Sequence, residues 1–270
     1  MAAAFELELA DHIDRVRRLA APCRVGLVTR ELPGGWLSAR PGYPVGEYPS
    51  SSLFRVYWLT QRGKLTSDQI AAAIAGFRGL DCERFFAWLA PWAWDESVEA
   101  VLHAAGFRHF HWIQYIAFAR ESGDTPPAKP IEFTTRRIGP SEAESFFPRI
   151  ASWYGDDSAQ FAARMVADGL EEAFGAFLGE NPVGVGLLTM DKTAPGWGYL
   201  GAAATDPVFR GRGAQTALIG ARTRRVAELG ARWCTVETNT SVDISLRNLQ
   251  RCGFVPRISW RVYQWNLKPA

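Results

Sequence analysis

Residues Tyr199 to Leu218 constrain this chain more than any other stretch. An apolar strand, Tyr199 to Thr205, enters a short turn closed by Pro207. A basic, glycine-bearing loop, Arg210-Gly-Arg-Gly213, then opens a helix at Ala214. Glycine lets main chain approach a ligand closely. A helix N-terminus presents unpaired N–H groups and the positive end of the helix dipole. Strand, loop and helix start together make a seat for a phosphate or pyrophosphate. Arg210 and Arg212 beside it add charge-assisted hydrogen bonds.

Two common phosphate loops do not match. A kinase or ATPase loop needs G-x-x-x-x-G-K-[ST], which is absent. A dinucleotide fold needs G-x-G-x-x-G early in a βαβ unit, whereas Thr216 stands three residues after Gly213, late in the chain. The run Thr205-Asp-Pro-Val-Phe-Arg-Gly-Arg-Gly-Ala214 instead resembles motif A of the GNAT acyltransferase superfamily, roughly V-x-P-x-x-R-G-x-G-x-G. The residues C-terminal to this loop strengthen the likeness. A helix from Ala214 to Leu229 stops at Gly230. Trp233 to Thr238 reads as a buried strand, and Val242 to Arg251 as a helix ended by Cys252-Gly-Phe254. Ser245-x-x-Asn248-x-x-Arg251-x-Gly-Phe254 also resembles a pattern in part of that superfamily. The likeness runs from about Ile131 to Leu267, as β-α-α-β-β-β-α-β-α-β-β.

The resemblance implies the fold class: α/β (α+β), a GNAT-like mixed, mostly antiparallel central sheet with flanking helices and a splayed parallel strand pair, in two copies. It also implies the co-substrate, acetyl-CoA, lying where strands 199–205 and 233–238 part. Main-chain groups near Ala203, Ala204 and Thr205 would then pair with the pantetheine amides. N–H groups of Arg210, Gly211, Arg212, Gly213 and Ala214 would hold the pyrophosphate. Ser245 and Asn248 would touch the pantetheine arm or the thioester region, or else serve as cap and exposed polar face. The implied reaction is direct acyl transfer to a primary amine of a small molecule or peptide. Glu237 is the candidate base, with a solvent-facing strand carboxylate as the alternative. Many relatives carry a tyrosine acid four residues before the Gly-Phe glycine; here that position is Leu249, so Tyr263 or Tyr199 is the candidate substitute. Gln215 stands where many members have glycine or alanine. A CoA-binding sensor without catalysis is the alternative function.

Composition sets wider bounds. The chain has 270 residues, enough for two modest domains, with 47% hydrophobic and 21% charged residues, as in ordinary globular proteins. A net charge of +2 gives no global basic field, so nucleic acid is not an expected partner. No apolar run is long enough to span a membrane, and Met1-Ala-Ala-Ala-Phe-Glu6 lacks the regions of a signal peptide. Cys23, Cys82, Cys234 and Cys252 form no C-x-x-C pair, which suits a cytoplasmic protein with reduced thiols. Four histidines show no zinc spacing, although His109 and His111 could share a strand face, so no metal is expected. Oligomeric state is open, with a homodimer allowed. Of the eleven tryptophans, Trp36, Trp92, Trp94, Trp153 and Trp197 are candidates either for packing or for lining an apolar cavity.

Residues 122–130, with three prolines, read as a stiff linker between a domain at 1–121 and a catalytic domain at 131–270. Beyond it, Ile131 to Ile138 reads as a strand. Ser141 with Glu144 reads as a capping box, and Asp156 or Asp157 as a second cap. Strands at Ala173 to Leu178 and Val183 to Met190 flank a turn at Asn181-Pro182, and two strand-like runs close the chain. The first half echoes this layout. It has strand Leu53 to Leu59, helix Ser67 to Phe77, strand Arg84 to Ala90, helix Asp95 to Ala105, Gly106-Phe107 and a long strand, His109 to Ala119. Its turn Thr60 to Thr66 has no R-G-x-G, so it reads as a degenerate copy without a pyrophosphate loop, or as an unrelated α+β cap. Leu32-Pro-Gly-Gly35 and Arg40-Pro-Gly-Tyr-Pro44 read as a loop that reaches over a substrate site, or as plain irregular surface.

Overall fold

The computed structural model describes residues 4–24, 26–41, 54–110, 114–123, 132–193 and 195–266. The greater part of the expected linker, together with residues 42–44, His111 and Ile131, lies outside that set. The chain divides into two compact units: one holds residues 1–116, 239–241 and 257–270, the other 117–238 and 242–256. The chain therefore passes between the units four times, and its last strand is counted with the first half.

The first unit contains α1 (Ala4–Ala20), β1 (Val28–Leu32), β2 (Gly35–Ala39), β3 (Phe54–Trp58), α2 (Ser67–Arg78), β4 (Arg84–Leu89), α3 (Glu96–Ala104) and β5 (Phe107–His109). The strand β6 (Tyr115–Glu121) begins in it. Its sheet runs β1-β2-β3-β4-β12, where β12 is Val255–Asn266. β3 and β4 are parallel from Arg55↔Phe86 to Trp58↔Leu89, while β12 is antiparallel to β4 and to β5. Phe77 stacks on Phe85 at 3.9 Å, pinning α2 to the sheet. Asp95 caps α3 by accepting from the Val98 N–H, as expected. Leu32 to Gly35 is the tight turn of the β1–β2 hairpin and not a reaching loop. The closing strand runs are one twelve-residue strand. The long run from His109 to Ala119 is two strands, β5 and β6. The elements α1, β1 and β2 carry no cap or motif that marks them in the sequence.

The second unit contains β7 (Thr134–Ile138), α4 (Pro140–Tyr154), α5 (Asp156–Ala167), β8 (Glu172–Leu178), β9 (Asn181–Met190), β10 (Trp197–Thr205), α6 (Ala214–Glu228), β11 (Trp233–Asn239) and α7 (Asp243–Arg251). Its strands run β7-β8-β9-β10-β11-β6. β7 to β10 are antiparallel neighbours, and β10–β11 is parallel. Two expected caps are replaced. Gly139 stands at the start of α4 with Pro140 in its first turn, and Gly155 starts α5; neither start has a side-chain cap. Proline suits that first turn because no N–H is needed there. The turn between β8 and β9 falls at Gly179-Glu180, with Gly179 at φ 58°, so Asn181 and Pro182 already belong to the strand.

One face of this sheet is packed by α4 and α5 through Phe146, Phe147, Ile150, Ala162 and Val166 on Val185 and Leu187. α6 packs at glycines. A Cβ on Gly198 would stand 2.5 Å from Val226, and one on Gly186 would stand 2.6 Å from the Arg222 guanidinium carbon. These absent side chains let α6 lie close to β9 and β10.

Candidate functional site

The loop after β10 is open to solvent. A single 3-10 turn, Pro207–Phe209, follows the strand, with the Asp206 carboxylate accepting from the Val208 N–H. Gly211 and Gly213 then take φ values of 78° and 97°, in the left-handed region that other residues avoid. Gly213 is the residue from which α6 starts, and no side chain caps the helix there. A Cβ on Gly211 or Gly213 would meet nothing within 4 Å. Among the described residues, no main-chain N–H from Gly211 to Thr216 donates to another main-chain oxygen. The N–H groups at the start of a long helix thus have no main-chain acceptor, and Gly211 and Arg212 before them are exposed, a setting suited to an anion. Gln215 is half-buried in the first turn.

The two arginines are already engaged. Arg210 donates from Nε to Thr205 O at 3.3 Å. Arg212 pairs with Glu132 at 2.5 Å, its guanidinium 5.2 Å from the Phe209 ring and 5.7 Å from the Phe133 ring.

The corresponding strand–turn–helix of the first unit is closed by its own side chains. Thr66 Oγ1 accepts from the Gln69 N–H while Gln69 Oε1 accepts from the Thr66 N–H, a full capping box at the start of α2. The Ile70 N–H donates to Thr66 O, and Lys64 is paired with Asp95. That helix start has no comparable seat.

β10 and β11 pair only from Trp197↔Trp233 to Tyr199↔Thr235. Beyond Tyr199, β10 follows β9 alone, and its register slips between Gly201 and Ala204. The pairing moves from Gly201↔Leu187 to Ala204↔Val185, which leaves one extra residue on β10 in the Ala202-Ala203 stretch. Ala202 takes φ 43°, a costly value for a residue with a Cβ. Ala203 is exposed in this bulge, while Ala204 and Thr205 rejoin the ladder opposite Val185 and Gly184.

Side chains brace the bulge. Arg222 of α6 is fully buried and donates to three main-chain carbonyls: Leu218 at 3.0 Å, Leu187 at 3.0 Å and Gly201 at 3.2 Å. Burial pulls its guanidinium down to about 10. The Tyr154 hydroxyl, at the end of α4, donates to Ala202 O at 3.0 Å.

Glu237 is half-buried on β11 and accepts from the Tyr199 hydroxyl at 3.2 Å. The pair crosses from β10 to β11 just where the strands part. Thr235 is fully buried and tied to Phe118 O at 2.8 Å, which anchors β11 to β6. On α7, Ser245 and Asn248 are half-buried, and neither side chain bonds to another described residue. Leu249 is buried in the core.

Tyr263 stands apart from this group. It belongs to the first unit, is fully buried on β12 and lies 5.1 Å from the His109 ring. Burial pushes its phenol up to about 12. Four of the singled-out tryptophans belong to packing. Trp36 is buried and donates to Asp14 at 2.8 Å, and Trp92 donates to Gln61 O at 2.9 Å. Trp197 is buried beside Trp233, while Trp153 packs against the α4–α5 core. Trp94 lies under the Arg261 guanidinium. Among the described residues there is no group of three or more metal-ligating side chains, and no helix is long and apolar enough to cross a membrane. Cys82, Cys234 and Cys252 are buried free thiols, and burial pushes Cys234 up to about 12.

Sequence reasoning missed Arg222, Tyr154 and the Tyr199–Glu237 contact. Arg222 lies among alternating basic and apolar helix residues and looks like a surface cation. Only its register over Gly186 marks it.

Known proteins share this fold. The acetyltransferase (GNAT) family matches residues 138–254. No curated protein sequence matches. Among solved structures, a GCN5-related N-acetyltransferase from Kribbella flavida is 15% identical with a TM-score of 0.68, over 99% of this chain and 98% of that one. A tandem GNAT protein from the clavulanic acid biosynthesis pathway is 14% identical with a TM-score of 0.64, over 94% and 88%. A GCN5-related N-acetyltransferase from Sphaerobacter thermophilus is 16% identical with a TM-score of 0.59, over 80% and 73%. At these identities the structures speak to the fold, a GNAT-like fold that also occurs in tandem.

Proposed function

Residues 138–254 match the acetyltransferase (GNAT) family, and from that premise we propose that the chain transfers an acetyl group from acetyl-CoA directly to a primary amine of a small molecule or peptide. One observation carries the reading: N–H groups from Gly211 to Thr216 with no main-chain acceptor among the described residues, at an uncapped helix start next to a strand pair that parts. The N–H groups of Gly211, Arg212, Gly213 and Ala214 hold the pyrophosphate, with Arg210 and Arg212 beside it. Main chain from Ala203 to Thr205, unpaired on the β11 side, takes the pantetheine amides. Ser245 and Asn248, whose side chains bond to no other described residue, take the far end of that arm.

Acetyl-CoA supplies an acyl group activated as a thioester. Glu237 accepts a proton from the ammonium or the attacking amine, directly or through water. The bulge at Ala202 offers main-chain amides to the carbonyl oxygen as charge develops there. The thiolate leaves readily, since a thiol pKa is about 8.5; Tyr199, bonded to Glu237, is the hydroxyl placed to return a proton. Tyr263, in the core of the first unit, is assigned no step. Alignment of two substrates contributes about 7–11 kcal/mol, against about 3 kcal/mol for one oxyanion donor. The loop that positions the donor therefore matters more than any one titratable group.

Leu249 favours a second reading, acyl-CoA binding without transfer, because no hydroxyl stands at that position. Calorimetry with acetyl-CoA and free-thiol release across an amine library separate the readings. Binding with thiol release supports the enzyme, while binding with no release from any amine supports the sensor. Gly213→Glu is expected to abolish binding in a folded protein, because it adds a carboxylate and strains φ 97°. Normal binding by that variant would remove the loop assignment.

A further inference from the structure

Resting on the acetyl-CoA reading, we propose that Arg222 and Tyr154 are positioning residues that polarise the two peptide groups of the β10 bulge, making the Ala202 and Ala203 N–H groups stronger donors to the thioester carbonyl oxygen.

A peptide group joins the carbonyl of one residue to the N–H of the next. Arg222 Nη1 donates to Gly201 O at 3.2 Å, and the same peptide group ends in the Ala202 N–H. The Tyr154 hydroxyl donates to Ala202 O at 3.0 Å, and that peptide group ends in the Ala203 N–H. Hydrogen bonding at a carbonyl draws charge toward its oxygen and makes the attached N–H more acidic, a cooperative effect strengthened by low dielectric. Neither Ala202 nor Ala203 has a Cα partner on β9, and pairing with β11 has already ended at Tyr199. Each of the two braced peptide groups therefore ends in a residue without a partner in the ladder.

Two further features argue that the brace is built in. A fully buried guanidinium facing only carbonyls is expensive, and a methionine or leucine would fill the same volume without that cost. The chain also omits a side chain at Gly186, where a Cβ would stand 2.6 Å from the guanidinium carbon. Arg222 also shares Nη1 between Leu187 O and Gly201 O, the opposed residues just before the register slips. It thus holds Ala202 at φ 43° from one side while Tyr154 holds it from the other.

The test needs no acceptor amine. Infrared difference spectra of acetyl-CoA labelled with ¹³C at the thioester carbonyl read the polarisation directly. In the wild-type protein the bound carbonyl stretch is expected below that of free acetyl-CoA. Arg222→Met and Tyr154→Phe should bind acetyl-CoA with nearly unchanged dissociation constants but return the stretch toward the free value, the first more than the second. Arg222→Lys should recover part of the shift. With a competent amine, kcat for Arg222→Met should fall about tenfold, less than the loss of a whole oxyanion donor, while KM for acetyl-CoA holds. Tyr154→Phe removes one hydroxyl and keeps a readout if Arg222→Met does not fold. Wild-type shifts in the folded variants, or no shift in the wild-type protein, overturn the proposal and leave CoA binding standing. Failure of wild-type protein to bind acetyl-CoA in calorimetry overturns the parent reading, and this one with it.

Discussion

Glu237 shows how far a single residue can be read. Its place on a strand after a phosphate-type loop makes it a candidate base, but its surroundings come only from the structure. A half-buried carboxylate bonded to a phenol is oriented, whereas one in open solvent would not be. Glu237→Gln is expected to slow transfer by roughly 10²- to 10⁴-fold, the usual range for lost acid–base help. Calorimetry should find acetyl-CoA affinity unchanged; an unchanged rate would remove Glu237 as the base. The Tyr199 contact is illegible from sequence because it depends on the register Tyr199↔Thr235, and no local pattern encodes parallel register. Tyr263 illustrates the reverse case. A tyrosine near the end of the chain looks available, yet long-range pairing with β4 puts it in a core.

At the scale of elements, the glycine loop and α6 are legible because their chemistry is local: positive φ at Gly211 and Gly213, and a helix start without a cap. Caps at α4 and α5 are misread because glycine and proline can begin a helix without a side-chain acceptor. Two outcomes test how α6 is seated. Gly186→Ala pushes a methyl into a guanidinium pinned by three carbonyls, so thermal unfolding should show a loss of about 1–3 kcal/mol, as for other overpacked interiors. An unchanged melting temperature would mean that the guanidinium has room to shift. Separately, Glu132 holds Arg212 in a pair exposed by more than two-fifths on both sides. Glu132→Gln should release that arginine and remove a repulsive carboxylate. Acetyl-CoA binding should tighten by up to about fivefold, since exposed pairs are worth no more than about 1 kcal/mol. The gain should shrink as salt is raised, and weaker binding would mean that Glu132 supports the loop.

At the scale of the whole molecule, the two halves share a layout but not a site. Where α6 begins with bare N–H groups, α2 begins with a closed capping box. The parallel pair β3–β4 stays together over four residue pairs, whereas β10–β11 parts after three. Titration calorimetry is therefore expected to give one acetyl-CoA per chain, and two would mean that the first unit also binds. The echo between the halves is visible in sequence because each carries its own strands, helices and Gly-Phe stop. The assignment of β12 is not, because nothing local says which sheet a strand will join.

That assignment fixes an order of events during synthesis. Residues 257–266 of β12 lie in the first unit, where the strand pairs with β4 and β5, so the half of the protein made earliest leaves the ribosome with a slot in its sheet. It must wait, unsealed, while more than a hundred further residues are translated, and the later half can gain its own interior first.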